Sequence, residues 1–171
     1  LSRFPLEAFS PLLDNKILLL IVSVIVLLGF VNAGNMVDGA NGLFALIALA
    51  YFFCIYLKTG EFFFFLLALS LAVFAVVNML WGRIILGDFG AYTISALIVL
   101  TSFDLFNNTD VSIWFFGSLL SYPCYEICRV ILVRLARRES PLQGDNLHLH
   151  NKVYNLISKK GFSPMISNSL T

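Results

Sequence analysis

The chain has 171 residues, of which 59% are hydrophobic and only 12% charged, against about 25% charged in soluble domains. Its mean hydropathy is +0.88, more apolar surface than a soluble domain of this size can hide. A net charge of +1 gives no bulk attraction for nucleic acid, and the reading is an all-α, polytopic integral membrane helical bundle.

Residues 1–15 mix Pro5, Pro11, Glu7 and Asp14 with apolar side chains and show no signal-peptide pattern. Five apolar runs follow, at about 17–31, 43–57, 62–80, 91–106 and 111–133. They predict about five transmembrane helices, each borrowing flanking residues to reach the roughly 20 needed to cross a bilayer. Residues 134–171 form a polar tail, and the whole of 1–171 reads as part of one membrane domain. If all five runs cross, eight of the eleven Lys and Arg fall on the side of residues 32–42, 81–90 and the tail, and three on the other. The positive-inside rule places that first side, with every polar motif, in the cytoplasm.

The first polar stretch, residues 32–43, reads NAGNMVDGANGL. Its three Asn, one Asp and three Gly supply donors, acceptors and a tightly turning backbone. Such a set suits a hydrated cation or a nucleotide, and equally an ordinary Gly/Asn turn. The second stretch, WGRIILGDFGAY at 81–92, holds one acid, Asp88, between Gly87 and Gly90. Asp88 is expected at a helix start, either as a plain N-cap or beside a Mg²⁺-bound diphosphate. Pro123 predicts a kink in the fifth span that frees the Leu119 carbonyl. Glu126 and Arg129, three apart, predict an ion pair on one helix face, structural in preference to substrate-binding. The three cysteines give no disulfide framework, and Cys124 and Cys128 read as packing residues. The third stretch, SPLQGDNLHLHNKVYNLISKKGF at 140–162, holds the only two His, His148 and His150, near Asp145. Their spacing implies an extended or loop backbone, with an interfacial amphipathic helix over 152–161.

Taken together, the three stretches resemble the polyprenyl-phosphate N-acetylhexosamine-1-phosphate transferases (glycosyltransferase family 4). Residues 32–43 are similar to the signature N-x-x-N-x-x-D-G-x-[DN]-G-L, residues 82–91 to G-R-x-x-x-G-D-x-G-[SA], and residues 140–151 to S-P-x-x-x-D-x-x-H-[IL]-H-[HN]. The resemblance is nearer to the undecaprenyl-phosphate N-acetylglucosamine-1-phosphate branch than to the muramoyl-pentapeptide branch, whose uninterrupted His triplet is absent. It implies transfer of a hexosamine 1-phosphate from a UDP-sugar to undecaprenyl phosphate, releasing UMP, at the start of O-antigen-like cell-envelope polysaccharide synthesis. N-acetylglucosamine is the first choice of sugar, with N-acetylgalactosamine and 6-deoxy sugars as alternatives.

The same resemblance implies Mg²⁺ as cofactor, with Mn²⁺ as an alternative, and Asp88 as its ligand. Asp38 and Asn35 would shape the metal and nucleotide site. Gly39, Ala40 and Asn41 would lie along the uridine, and His148 and His150 would hold the diphosphate or sugar. Asp38, Asp88, His148 and His150 are thus the expected catalytic set. The implied partners are a UDP-N-acetylhexosamine, undecaprenyl phosphate and membrane lipid, with a homodimer as an option. The implied location is the bacterial inner membrane. Two departures stand out: Ile85 sits where many relatives carry Phe, and Asn151 where many carry a third His. The family's D-D-x-x-D motif has no counterpart, since no two adjacent Asp occur. The chain therefore reads as the C-terminal half of such an enzyme, expected to be inactive alone. The alternative is a degenerate assembly partner or transporter-like protein.

Overall fold

The computed structural model describes residues 15–82, 84–138, 140, 149–159 and 167, with the backbone alone at 150 and 151. Among these the regular structure is entirely helical. Each apolar run becomes a helix because the chain between polar turns offers no alternative way to satisfy its backbone in an apolar surround. Helix α1 spans Lys16–Val37, α2 Leu43–Thr59, α3 Phe62–Trp81, α4 Gly87–Asn108, α5 Ile113–Leu119, α6 Ser121–Ala136 and α7 Leu149–Ser158.

The ends follow local chemistry. Asn15 caps α1, its side chain accepting from the amides of Ile17 and Leu18 at 3.1 and 3.2 Å. Gly60 and Gly82 close α2 and α3 in the left-handed conformation, each donating its N–H back four residues, to Tyr56 and Asn78. Ser112 caps α5 through the Trp114 amide.

Helices α1, α3 and α4 are each long and apolar enough to cross a membrane, and the α5–α6 pair would make a fourth span. The second expected span, α2, is shorter, at 17 residues, or about 25 Å at 1.5 Å per residue. It is also the most buried. Phe44, Ala48, Tyr51 and Ile55 repeat at three- and four-residue spacing, with Ala45 and Phe52 beside them. This stripe packs against α3, α4 and α5, while α1 packs on α4 and α6. The Tyr51 hydroxyl lies 2.7 Å from that of Ser102 and donates to the Ile98 carbonyl, so α2 and α4 are tied by polar contacts within the apolar core. Outward faces stay apolar: Ile17, Leu20 and Ile25 on α1 and Phe62, Phe63, Val73 and Val76 on α3 are all more than half exposed. Such surface belongs against lipid, and the chain is an integral membrane protein.

Three expectations are corrected. The first polar stretch is not all connector: α1 continues through Asn32 and Asn35 to Val37, with Asn32 turning its amide back on the Leu28 carbonyl at 2.9 Å. The connection is only the five residues 38–42. Likewise α4 begins at Gly87 rather than Ala91. The fifth run is broken rather than kinked, with α5 and α6 meeting at 71°. The break at Leu120 leaves Pro123 in the first turn of α6, where a missing N–H costs nothing.

Candidate functional site

The site is set by one helix pair. Helices α1 and α4 run antiparallel, and three contacts fix their register. Gly34 faces Ser95: a Cβ added at Gly34 would run into the Ser95 hydroxyl and lie 2.8 Å from the Phe44 ring. At the next residue of α1, Asn35 donates its side-chain amide to the Tyr92 hydroxyl at 3.4 Å. At the helix end, the Asp38 carboxylate accepts the backbone N–H of Gly87 and feels the charge of Asp88. Asp88, Tyr92 and Ser95 share one face of α4 by their four- and three-residue spacing, and Asp38, Asn35 and Gly34 answer them in reverse order.

The electrostatics follow from that placement. Burial, set against the Gly87 hydrogen bond and reinforced by the negative charge of Asp88, pushes the Asp38 carboxyl up to about 6. Asp88 is solvent-exposed in the first turn of α4. It is not the helix cap. That position belongs to Leu86, and no side chain caps the helix, which removes the plain N-cap reading of Asp88. Two carboxylates are thus held close together beside a helix N-terminus.

Gly87 makes this possible. Its φ is +63°, a left-handed conformation, and nothing lies within 4 Å of where its Cβ would be. Gly87→Ala is therefore expected to cost only backbone strain, about 1–2 kcal/mol, measurable as a lower denaturation midpoint in detergent. A change below a few tenths of a kcal/mol would mean that the turn relaxes freely.

Of the other expected residues, Gly39 is exposed, Ala40 is buried and Asn41 is half-buried. Ala40 can therefore offer a ligand backbone rather than its methyl. Ile85 is highly exposed at the loop before Asp88. The loop is held by Asn78, which is buried at the end of α3 and donates its amide to the Ile84 carbonyl. Asp145 and His148 lie outside the described residues, as do the side chains of His150 and Asn151. The backbone of His150 is helical in the first turn of α7, so the helix of the tail starts at Leu149 rather than 152 and the extended backbone expected there does not extend to His150.

Sequence reasoning missed Tyr92 and the Gly87 amide as partners of the first motif. The spacing of Tyr92 from Asp88 was legible, but its pairing with Asn35 depends on which helices neighbour each other. Among the described residues no group of three or more His, Cys, Asp and Glu is assembled for a metal. The two-carboxylate arrangement is nonetheless the donor chemistry of a cation such as Mg²⁺, which keeps several waters and is completed by substrate phosphates.

Residues 3–106 match the family described as Glycosyl transferase family 4. The chain is also similar to the undecaprenyl-phosphate alpha-N-acetylglucosaminyl 1-phosphate transferase of Thermotoga maritima, with 29% identity over 136 residues. That match covers 80% of this chain and 43% of the relative, so the chain spans less than half of the relative's length. No solved structure matches it.

Proposed function

The chain belongs to glycosyl transferase family 4, and from that membership we propose that it forms the C-terminal part of an enzyme that transfers a hexosamine 1-phosphate from a UDP-sugar to undecaprenyl phosphate, releasing UMP. The observation that carries the reading is the α1–α4 register, which sets Asp38 against Gly87 and Asp88. Two motifs about 50 residues apart in sequence thereby become one site.

In this reading Asp88 holds Mg²⁺, and Asp38 supports it from a half-buried position. Bound there, the cation would offset charge on the donor diphosphate and on the departing UMP. Asn35, steadied by Tyr92, orients the nucleotide end. Gly39, Ala40 and Asn41 offer a close-lying backbone and one amide along the uridine. The first-turn amides of α4 point the positive end of its dipole at anionic groups. His148 and His150 hold the diphosphate or sugar. The attacking group is a lipid-phosphate oxygen: it forms a new P–O bond to the donor's β-phosphorus as the bond to UMP breaks. Enzyme and acceptor meet at the cytoplasmic face of a bacterial inner membrane. N-acetylglucosamine is the favoured sugar, in line with the name of the Thermotoga relative.

The test uses the full-length protein in membranes, with UDP-N-acetylglucosamine, undecaprenyl phosphate and Mg²⁺. UMP release that needs both the lipid and the cation is expected. No release with any UDP-N-acetylhexosamine would sink the reading.

A further inference from the structure

Helix α6 carries a fully buried carboxylate, Glu126, which the proposed chemistry does not use. Arg129 grips it with two bonds, Nε to Oε2 at 2.9 Å and a guanidinium NH₂ to Oε1 at 2.7 Å. A local pair of this kind offsets part of the cost of burying the charge. Yet Oε1 also accepts the backbone N–H of Leu149 at 2.8 Å, from 23 residues further along the chain.

Leu149 is the first residue of α7 and the residue between His148 and His150. A helix's first amides have no partner within the helix, and a carboxylate beside them is favoured by the dipole. Glu126 therefore caps α7 from a different helix, at the centre of the His motif. Arg129 lies one turn along α6 and fixes the carboxylate's orientation with its two-pronged grip. α6 itself packs on α1, the helix whose end carries Asn35 and Asp38.

We propose that Glu126 is the positioning residue of the His148–His150 pair, anchoring the chain between the two His to α6, with Arg129 orienting the anchor. The functional part of this proposal rests on the reading above, in which the two His hold the donor.

Two conservative variants of the full-length protein separate anchoring from a merely structural ion pair. Glu126→Gln keeps an acceptor oxygen at full reach for Leu149 but gives up the charge. Glu126→Asp keeps the charge for Arg129 but falls one methylene short of Leu149. The readouts are amide hydrogen exchange over 149–153 and the KM for the UDP-sugar. Glu126→Asp is expected to speed exchange at the start of α7 and raise the donor KM about 10-fold, the scale of losing a support behind a ligand-holding group. Glu126→Gln is expected to fall between the parent and Glu126→Asp, since its amide keeps the acceptor for Leu149 but loosens the grip of Arg129. The reverse order, equal effects, or no effect of either variant on exchange would overturn the anchoring. If His148→Ala/His150→Ala leaves the donor KM unchanged while exchange still responds to Glu126→Asp, the anchor stands and the role given to the His pair fails.

Discussion

Asp88→Asn in the full-length protein is expected to lower kcat/KM for sugar-phosphate transfer by at least about 100-fold, the cost typical of removing one electrostatic contact to a developing charge. The substitution is nearly isosteric and lies at an exposed position in the first turn of α4, so folding should be preserved. What changes is the charge. Asp88 is the more accessible of the two carboxylates, and Asp38 is half-buried with the Gly87 amide already bonded to it. Asp38 alone offers a cation a weaker and less accessible grip. Raising Mg²⁺ should therefore recover only a small part of the lost rate. Relief of Asp38 from its neighbour's charge should also let its pKa fall, since Asp88 contributes to holding it up. The measurement is UMP release across a Mg²⁺ titration, with monodispersity in detergent as the folding control. Unchanged, cation-dependent turnover would remove Asp88 from the site. A full-length protein with no turnover before or after the change would point instead to the degenerate assembly partner.

Much of the fold was legible because apolar composition over long runs leaves few outcomes. The positions of the apolar helices and their polar turns follow from hydropathy and from residues such as Gly60 and Gly82, which end α2 and α3 in the left-handed conformation. The boundaries were less legible. Asn32 and Asn35 look like loop residues, yet a helix accommodates them when one amide folds back on the Leu28 carbonyl and the other finds Tyr92. Helix neighbours were not legible at all. Runs that are apolar on every face carry no stripe to mark the partner, so nothing in the local sequence says that α1 lies on α4. That pairing is written in small residues instead, Gly34 and Ser95. For the same reason Asp38 and Asp88 could be singled out separately by their motifs, whereas their proximity needed the helix register. The Glu126–Arg129 pair was legible from its spacing, but its third partner, Leu149, was not, because a backbone amide leaves no mark in sequence.

If close approach at Gly34 sets that register, then Gly34→Ala should act at a distance on the acids. A methyl there meets the Ser95 hydroxyl and the Phe44 ring, with Phe44 itself fully buried. Neither can retreat freely in a packed interior, and overpacking of this kind costs about 1–3 kcal/mol. Pushing α1 from α4 lengthens the lever to Asp38, one turn beyond, and separates it from the Gly87 amide. Loss of stability and loss of transfer should therefore appear together. Gly29→Ala on the same helix is the control: nothing lies within 4 Å of its Cβ, and Ala in place of Gly favours a helix by up to about 1 kcal/mol. It should be neutral or stabilising. Ser95 offers the rescue. Its hydroxyl is buried without a hydrogen-bond partner among the described residues, so Ser95→Gly removes the nearest obstruction without breaking a bond. Gly34→Ala combined with Ser95→Gly should recover part of both stability and transfer, with Phe44 limiting the rest. Should Gly34→Ala prove as harmless as Gly29→Ala, the α1–α4 contact does not hold the two acids in register, and their shared site would need another support.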